Sequence, residues 1–323
     1  MNLKSIIEYS VAVIVLFEGI IFYFRIARKY NIIDRPNLRS SHNYITIRGG
    51  GIVFWLSGML YSVCNLSESI YFLTGLTLIC VVSLWDDISS LPNKIRIIIH
   101  LISIGIIFYG INLFLTLPCE WIIFAFILFA GILNAYNFMD GINGMTGLYS
   151  LSVLISLQYV NYKIIPYTNP DFIYYAILAC LVFLFFNFRK RAKCFAGDIG
   201  SMAISFWIIT ILLQLTIKDK SIVWMSFLAV YGVDTVCTIL HRLYLRQNIF
   251  KAHRQHFYQI LSNEWGISHL AVSSGYAFIQ LLICCFIIYY YEYRTVCTII
   301  SIIILSLIYL LKFRKKEQNP TSF

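Results

Sequence analysis

Charge is scarce in this chain. Of 323 residues only 12% are Asp, Glu, Lys or Arg, and only 15 are acidic. Soluble globular domains carry about a quarter charged residues, so no soluble domain is expected. The nine cysteines form no CxxC pair, which leaves no cysteine-based zinc framework. Most of them fall inside apolar runs, where a thiol behaves as a small hydrophobe, although Cys64 and Cys119 both fall near the outer face and could pair. The glycine-bearing loop at 193–201 is too short and has the wrong pattern for a P-loop. No internal repeat of the kind found in transporter halves is visible. The first apolar run lacks a small-residue cleavage pattern after it, so it is expected to be a retained span.

What is present is apolar sequence, end to end. The chain is 59% hydrophobic with a mean hydropathy of +0.77. Eleven runs approach the length that crosses a hydrocarbon core of about 30 Å: 5–24, 51–65, 69–85, 95–115, 119–138, 145–160, 172–188, 199–217, 221–240, 269–290 and 295–312. The second is short, and two adjacent runs could form one re-entrant pair. In lipid the backbone must satisfy its own hydrogen bonds, so these spans are helices. The expected fold is an all-α polytopic integral membrane protein of about 10–11 transmembrane helices. Residues 1–312 form a single transmembrane catalytic domain, and 313–323 a short basic cytoplasmic tail.

The net charge of +10 does not point to nucleic acid, because its distribution is topological. With the N-terminus outside, 20 of the 25 Lys and Arg fall in inner segments, the signature of a cytoplasmic bias in basic residues. The inner segments are also the longer ones: 25–50, 86–94, 139–144, 189–198 and 241–268. The candidate site therefore belongs at the cytoplasmic membrane surface, where a water-soluble molecule can meet a lipid.

The few acids are not scattered. Asp86-Asp87, Asp140 and Asp198 each sit at the edge of an apolar run, and the span count places all three clusters on one side. Charge at a membrane boundary is costly and usually functional. Two Asp at a helix C-terminus oppose the helix dipole. Neighbouring helical residues point about 100° apart, so Asp86 and Asp87 are expected to have different roles. Asn134, Asn137, Asp140, Gly141, Asn143 and Gly144 crowd one turn between apolar runs, with amides suited to a sugar or base edge. Phe195-Ala196-Gly197-Asp198 opens a helix whose N-terminus favours phosphate, with Asp198 a plausible N-cap. Arg48-Gly49-Gly50-Gly51 opens another. His253-Arg254-Gln255-His256 would place both histidines on one face if helical, and histidine with Arg254 suits a phosphate grip. Asp234 lies inside the ninth span with no evident partner. Carboxylates and basic loops on one face suggest a metal-dependent site for phosphorylated substrates.

Taken together, Asp86-Asp87, Asn137-Phe138-Met139-Asp140-Gly141-Ile142-Asn143-Gly144, Phe195-Ala196-Gly197-Asp198-Ile199-Gly200-Ser201 and the His253/His256 loop resemble the polyprenyl-phosphate N-acetylhexosamine-1-phosphate transferases. That family includes the phospho-N-acetylmuramoyl-pentapeptide transferases. The resemblance runs from about residue 30 to 260, in order. It implies transfer of a sugar-1-phosphate from a UDP-N-acetyl sugar to undecaprenyl phosphate with release of UMP. It implies Mg²⁺ as cofactor, with Mn²⁺ able to substitute. Asp198 would be a metal ligand, with Asp86 and Asp87 handling the lipid phosphate and the metal. Asn137, Asp140 and Gly141 would line the nucleotide-sugar pocket, with Phe195 stacked on uracil and Asn187 nearby. His253 and His256 would close on the pyrophosphate and sugar.

The sequence departs from the family at three places. Tyr44-Ile45-Thr46-Ile47 replaces a proline-bearing stretch, Asn143 replaces a second Asp, and the histidines are not contiguous. The last resembles the branch that initiates O-antigen or other surface polysaccharides. The expected location is the bacterial inner membrane. The expected partners are undecaprenyl phosphate, the UDP-N-acetyl sugar and the lipid bilayer, with a homodimer compatible and no nucleic acid. The competing reading is a membrane transporter or flippase with an anion site at the cytoplasmic edge.

Overall fold

The computed structural model describes residues 3–36, 44–249 and 253–314. Residues 37–43 of the first inner segment, 250–252 and the tail from 315 lie outside that set. Each predicted span falls on helix. In chain order these are α1 (Leu3–Lys29), α2 (Ile52–Cys64), α3 (Leu66–Ile88), α4 (Asn93–Gly110), α5 (Leu113–Thr116), α6 (Cys119–Met139) and α7 (Met145–Lys163). They continue as α8 (Pro170–Asn187), α9 (Gly197–Asp219), α10 (Ala229–Tyr244, entered by a 3₁₀ segment Ile222–Leu228), α11 (Phe257–Gln259), α12 (His269–Tyr289) and α13 (Arg294–Arg314).

Among the described residues nine helical segments are long and apolar enough to cross a membrane. Two of the eleven predicted spans differ for physical reasons. Helix α2 has 13 residues, about 20 Å of helix, so it is too short to cross alone. Helix α7 is long enough but polar, and several of its polar side chains bond within the protein. Tyr149 donates to Gln280 Oε1 at 2.8 Å, Ser156 to the Ser152 carbonyl at 2.9 Å and Asn161 to the Thr168 carbonyl at 3.0 Å. The predicted run 95–115 breaks after Gly110, where Asn112 takes a left-handed φ of 56°. Cys64 and Cys119 are exposed, free thiols.

Helix α9 is the centre of the bundle. Its residues from Ile199 through Leu213 are buried without interruption. It packs against α3, α6, α2 and α7. A helix apolar all round is a buried helix, and this one carries Asp198 at its entrance. Large apolar side chains such as Ile299, Ile303 and Leu310 remain exposed on α13, as expected of a lipid-facing surface.

One end of the bundle gathers the motifs. Tyr23 of α1 donates to the Arg48 carbonyl at 2.8 Å. Ser201 of α9 donates to Asn137 of α6 at 3.2 Å. Lys312 of α13 donates to the Gln255 carbonyl at 2.5 Å. A minimal antiparallel pair, Ile33–Asp34 with Thr46–Ile47, sets Ile33 opposite Ile47. Phe195 N–H then donates to the Ile47 carbonyl at 2.8 Å, and Gly50 N–H returns to the Phe195 carbonyl at 2.8 Å. The Tyr44–Ile47 departure thus builds β structure, which its β-branched residues favour.

This end is close-packed backbone on backbone. A Cβ on Gly51 would land on the Gly200 Cα. Neither partner is a side chain that can swing away, so Gly51→Ala must separate α2 from α9. Overpacking of this kind costs about 1–3 kcal/mol. The purified variant is expected to melt several degrees below wild type in detergent, whereas Gly131→Ala, where a Cβ meets nothing within 4 Å, should not.

Candidate active site

The acidic residues meet at the N-terminus of α9. Asp87, at the end of α3, accepts from the backbone N–H of Asp198 at 3.0 Å and of Ile199 at 3.1 Å. It is therefore an N-cap supplied from another helix. The cap expected of Asp198 itself does not form, because Asp198 already lies within the first turn. The opposing dipole at the end of α3 is answered by the positive end of α9. Gly197 makes this possible: its φ is +72°, and a Cβ there would sit 2.5 Å from Asp87 Oδ2 and 2.8 Å from Gly49 N.

Two arginines complete the cluster. Arg48 Nε lies 2.7 Å from Asp87 Oδ1 and its Nη2 3.5 Å from Asp198 Oδ1. Arg96 Nη1 lies 2.8 Å from Asp86 Oδ2 and its Nη2 3.2 Å from Asp198 Oδ2. Asp86 Oδ1 also accepts from Leu91 N–H at 2.6 Å. The adjacent aspartates do take different partners, as their angular separation requires. The Asp87 side chain has 0% exposure, against 10% for Asp86 and 14% for Asp198. Asp87 thus builds the site from within, while Asp86 and Asp198 reach its surface. On Arg48, burial works to lower the guanidinium pKa, but the charges of Asp87, Asp198 and Asp34 outweigh it and raise the value.

Arg96 was not singled out from the sequence. The signal was there: a cation in the first turn of a helix is as unfavourable as two anions at the end of the preceding one. Each is the other's compensation.

Asp140 follows α6 and accepts from Thr146 at 2.6 Å. Burial pushes its carboxyl up to about 7, and the nearby Asp198 charge adds to this. Asn137 joins the cluster through Ser201. Asn187 is engaged by backbone on both sides: its Oδ1 accepts from Gly144 N–H at 2.7 Å and its Nδ2 donates to the Cys194 carbonyl at 2.9 Å. Asn143 donates to the Arg189 carbonyl at 2.7 Å. A carboxylate could not make that bond, which is a physical reason for the departure from Asp. Asn134 stays exposed one turn earlier and donates to the Ala130 carbonyl at 2.8 Å. Phe195 is half-buried at the turn into α9.

The histidine loop packs on the same turn of α6. His253 and His256 are not on a common helix, since α11 begins at Phe257, yet their rings are 4.9 Å apart. Both lie near Phe138, at 6.3 and 6.0 Å. Burial, then the neighbouring His256, lowers the His253 pKa to about 4, so its ring is neutral at pH 7. Tyr258 donates to the Phe138 carbonyl at 2.9 Å and its hydroxyl occupies the space where a Gly141 side chain would go. Neither Tyr258 nor Gly141's reason for being glycine was evident from sequence spacing.

A family model, glycosyl transferase family 4, matches residues 69–216. That stretch contains Asp86, Asp87, Asp140 and Asp198. The chain is 26% identical over 291 residues to an undecaprenyl-phosphate alpha-N-acetylglucosaminyl 1-phosphate transferase of Escherichia coli K12, covering 81% of this chain and 77% of that protein. It is 27% identical over 266 residues to the protein of the same name from Salmonella typhi, covering 73% and 71%. It is 30% identical over 224 residues to a phospho-N-acetylmuramoyl-pentapeptide-transferase of Streptococcus agalactiae, covering 58% and 64%. The central part of the chain is thus similar to glycosyl transferase family 4. The resemblance carried by its four motifs is accompanied by similarity to these relatives over 58–81% of the chain.

The two aspartates should separate experimentally. Asp87→Ala leaves Arg48 and two helix N–H groups without their buried acceptor, a loss of about 3–5 kcal/mol. Asp86→Ala opens a partly exposed pair worth about 1 kcal/mol. Thermal melting in detergent is expected to show a large drop for Asp87→Ala and a small one for Asp86→Ala.

Proposed function

We propose that this protein transfers an N-acetylhexosamine-1-phosphate from a UDP-sugar to undecaprenyl phosphate. UMP is released, and the step initiates O-antigen or another surface polysaccharide. The observation that carries this reading is a coincidence of two independent facts. Four of the six acids inside the family match, Asp86, Asp87, Asp140 and Asp198, are the ones that the fold draws to one end of the bundle, beside Arg48 and Arg96. That end also holds most of the basic loops, which supports a cytoplasmic face of a bacterial inner membrane. A transporter would hold its polar groups near mid-height on broken helices; here α9 is unbroken and its acid is at the entrance.

The donor set fits a hard divalent cation. It is all carboxylate oxygen, and burial of Asp140 beside Asp198 leaves a carboxyl held up at about 7. Among the described residues no group of three or more acidic, His or Cys side chains suffices to hold an ion. That suits Mg²⁺, which takes one or two carboxylates and fills its shell with water and substrate phosphates. Asp198 and Asp86 would hold it, and Mn²⁺ offers the same oxygen chemistry. When bound, it supplies charge neutralisation between the two phosphates.

The chain's own groups then do the positioning, which is most of what phosphoryl transfer requires. A lipid phosphate oxygen attacks the sugar-bearing phosphorus of the nucleotide sugar, and the bond to the uridylyl oxygen breaks. Arg48 and Arg96 would offset the charge that grows on the leaving UMP. Asp87 keeps Arg48 and the α9 N-terminus in place. The lipid phosphate is already largely ionised near pH 7, so direct attack is preferred to a phospho-aspartate. An acid-labile phosphorylated Asp formed from UDP-sugar alone would overturn that preference.

The test follows UMP release from membranes containing the protein, Mg²⁺, undecaprenyl phosphate and a panel of UDP-N-acetyl sugars. Release that needs both lipid and metal, and is abolished in Asp198→Ala at equal protein level, is expected. Metal dependence should also change with pH. Asp140, held up at about 7 near Asp198, gains its negative charge as the pH rises past that value, so the metal concentration for half-maximal rate should fall from pH 6 to pH 8, by up to about tenfold.

A further inference from the structure

Asp234 is a charge inside a helix that crosses the membrane, and such a residue is expected to be paired or functional. Its partner set proves to be large. Its Oδ1 accepts from Phe257 N–H at 2.9 Å and Thr238 at 3.3 Å, and lies 3.3 Å from His256 Nδ1. Its Oδ2 accepts from Tyr276 at 2.7 Å and Tyr258 N–H at 3.3 Å. One carboxylate from α10 thus caps α11, ties it to α12 and meets the His256 ring.

Capping alone would account for the backbone bonds. It does not account for the far side of the imidazole. His256 is 2% exposed, and its Nε2 is buried without a hydrogen-bond partner among the described residues. A buried polar atom left unpaired is destabilising, so each one in a native fold needs a reason. An ionised carboxylate only accepts, so the ring proton shared with it sits on Nδ1. Nε2 then carries the lone pair. The ring lies against Phe138, between Asn137 and Asp140 in the chain. Its backbone is tied down from several directions, by Asp234, by Lys312 through the Gln255 carbonyl and by Tyr258 on the Phe138 carbonyl.

We propose that Asp234 is a positioning residue for the transfer reaction, holding His256 as the Nδ1–H tautomer so that Nε2 accepts a hydrogen bond from the nucleotide sugar. The bound group is a hydroxyl or amide N–H donor, not a phosphate oxygen, because a lone pair cannot bond another acceptor. This rests on the transferase reading for its substrate. The histidine loop is already expected to close on the sugar nucleotide; the new element is Asp234, buried in the membrane domain, which sets the tautomer of the ring.

The experiment measures UMP release and, separately, thermal stabilisation by UDP-N-acetyl sugar, for wild type, Asp234→Asn, His256→Gln and the double variant. Each single change is expected to raise KM for the UDP-sugar on the order of tenfold, the loss of about one hydrogen bond, with kcat changed much less. The double variant should be no worse than the poorer single, because both remove one interaction. Multiplying effects, or a folded His256→Gln with wild-type KM, would overturn the proposal. His256→Gln carries the test if Asp234→Asn fails to fold. Wild type that releases no UMP but is stabilised by UDP-sugar, with stabilisation lost in both variants, sinks the transferase reading alone. Wild type that neither reacts nor binds overturns both.

Discussion

The bond from Asp87 to the N-terminus of α9 is the contact on which the rest of the site depends. Helix α9 is buried on all sides, and its first N–H groups have no water to bond. A carboxylate from α3 satisfies two of them. That anion in turn needs a cation, and Arg48 supplies it from the loop before α2. Arg48 is held by the short β pairing and the glycine contacts that press this loop onto residues 194–200. Remove the carboxylate and the entrance to the central helix, the arginine and the loop all lose their reason to be where they are.

This arrangement explains how so few charges suffice. Desolvated ions are tolerated only when each is paired and hydrogen-bonded. Here every carboxylate of the cluster has an arginine or a donor, and the arginines are shared. Arg48 bridges Asp87 and Asp198, while Arg96 bridges Asp86 and Asp198. Asp198 is the common member, and with Asp86 it is the part of the cluster that reaches the surface. Asp140 is held by a threonine hydroxyl instead and is pushed toward its protonated form. A site in this balance favours the arrival of positive charge.

The second anchoring point works the same way at a smaller scale. Asp234 meets the N-terminus of a one-turn helix, as Asp87 meets that of a long one. In both, a carboxylate on a membrane helix fixes the start of another element, and the element carries site residues. The polar loops at this end are therefore extensions of the bundle, positioned by buried charge and close backbone packing.

Much of this was legible in the residues themselves. Hydropathy length determined the helices, because lipid leaves the backbone no alternative, and the placement of Asp86, Asp87, Asp140 and Asp198 at helix edges identified one end as chemical. The spacing of the motifs carried the family. What the residues could not reveal was which carboxylate faces inward, because that depends on which helix start lies opposite. Arg96 read as one of many topological charges until α3 and α4 were side by side. Asp234 had no partner within reach along the chain, since all but one of its bonds cross to residues 22 to 42 positions away. Helix formation is local and follows from composition; pairing of buried charge is long-range, and only the packed bundle decides it.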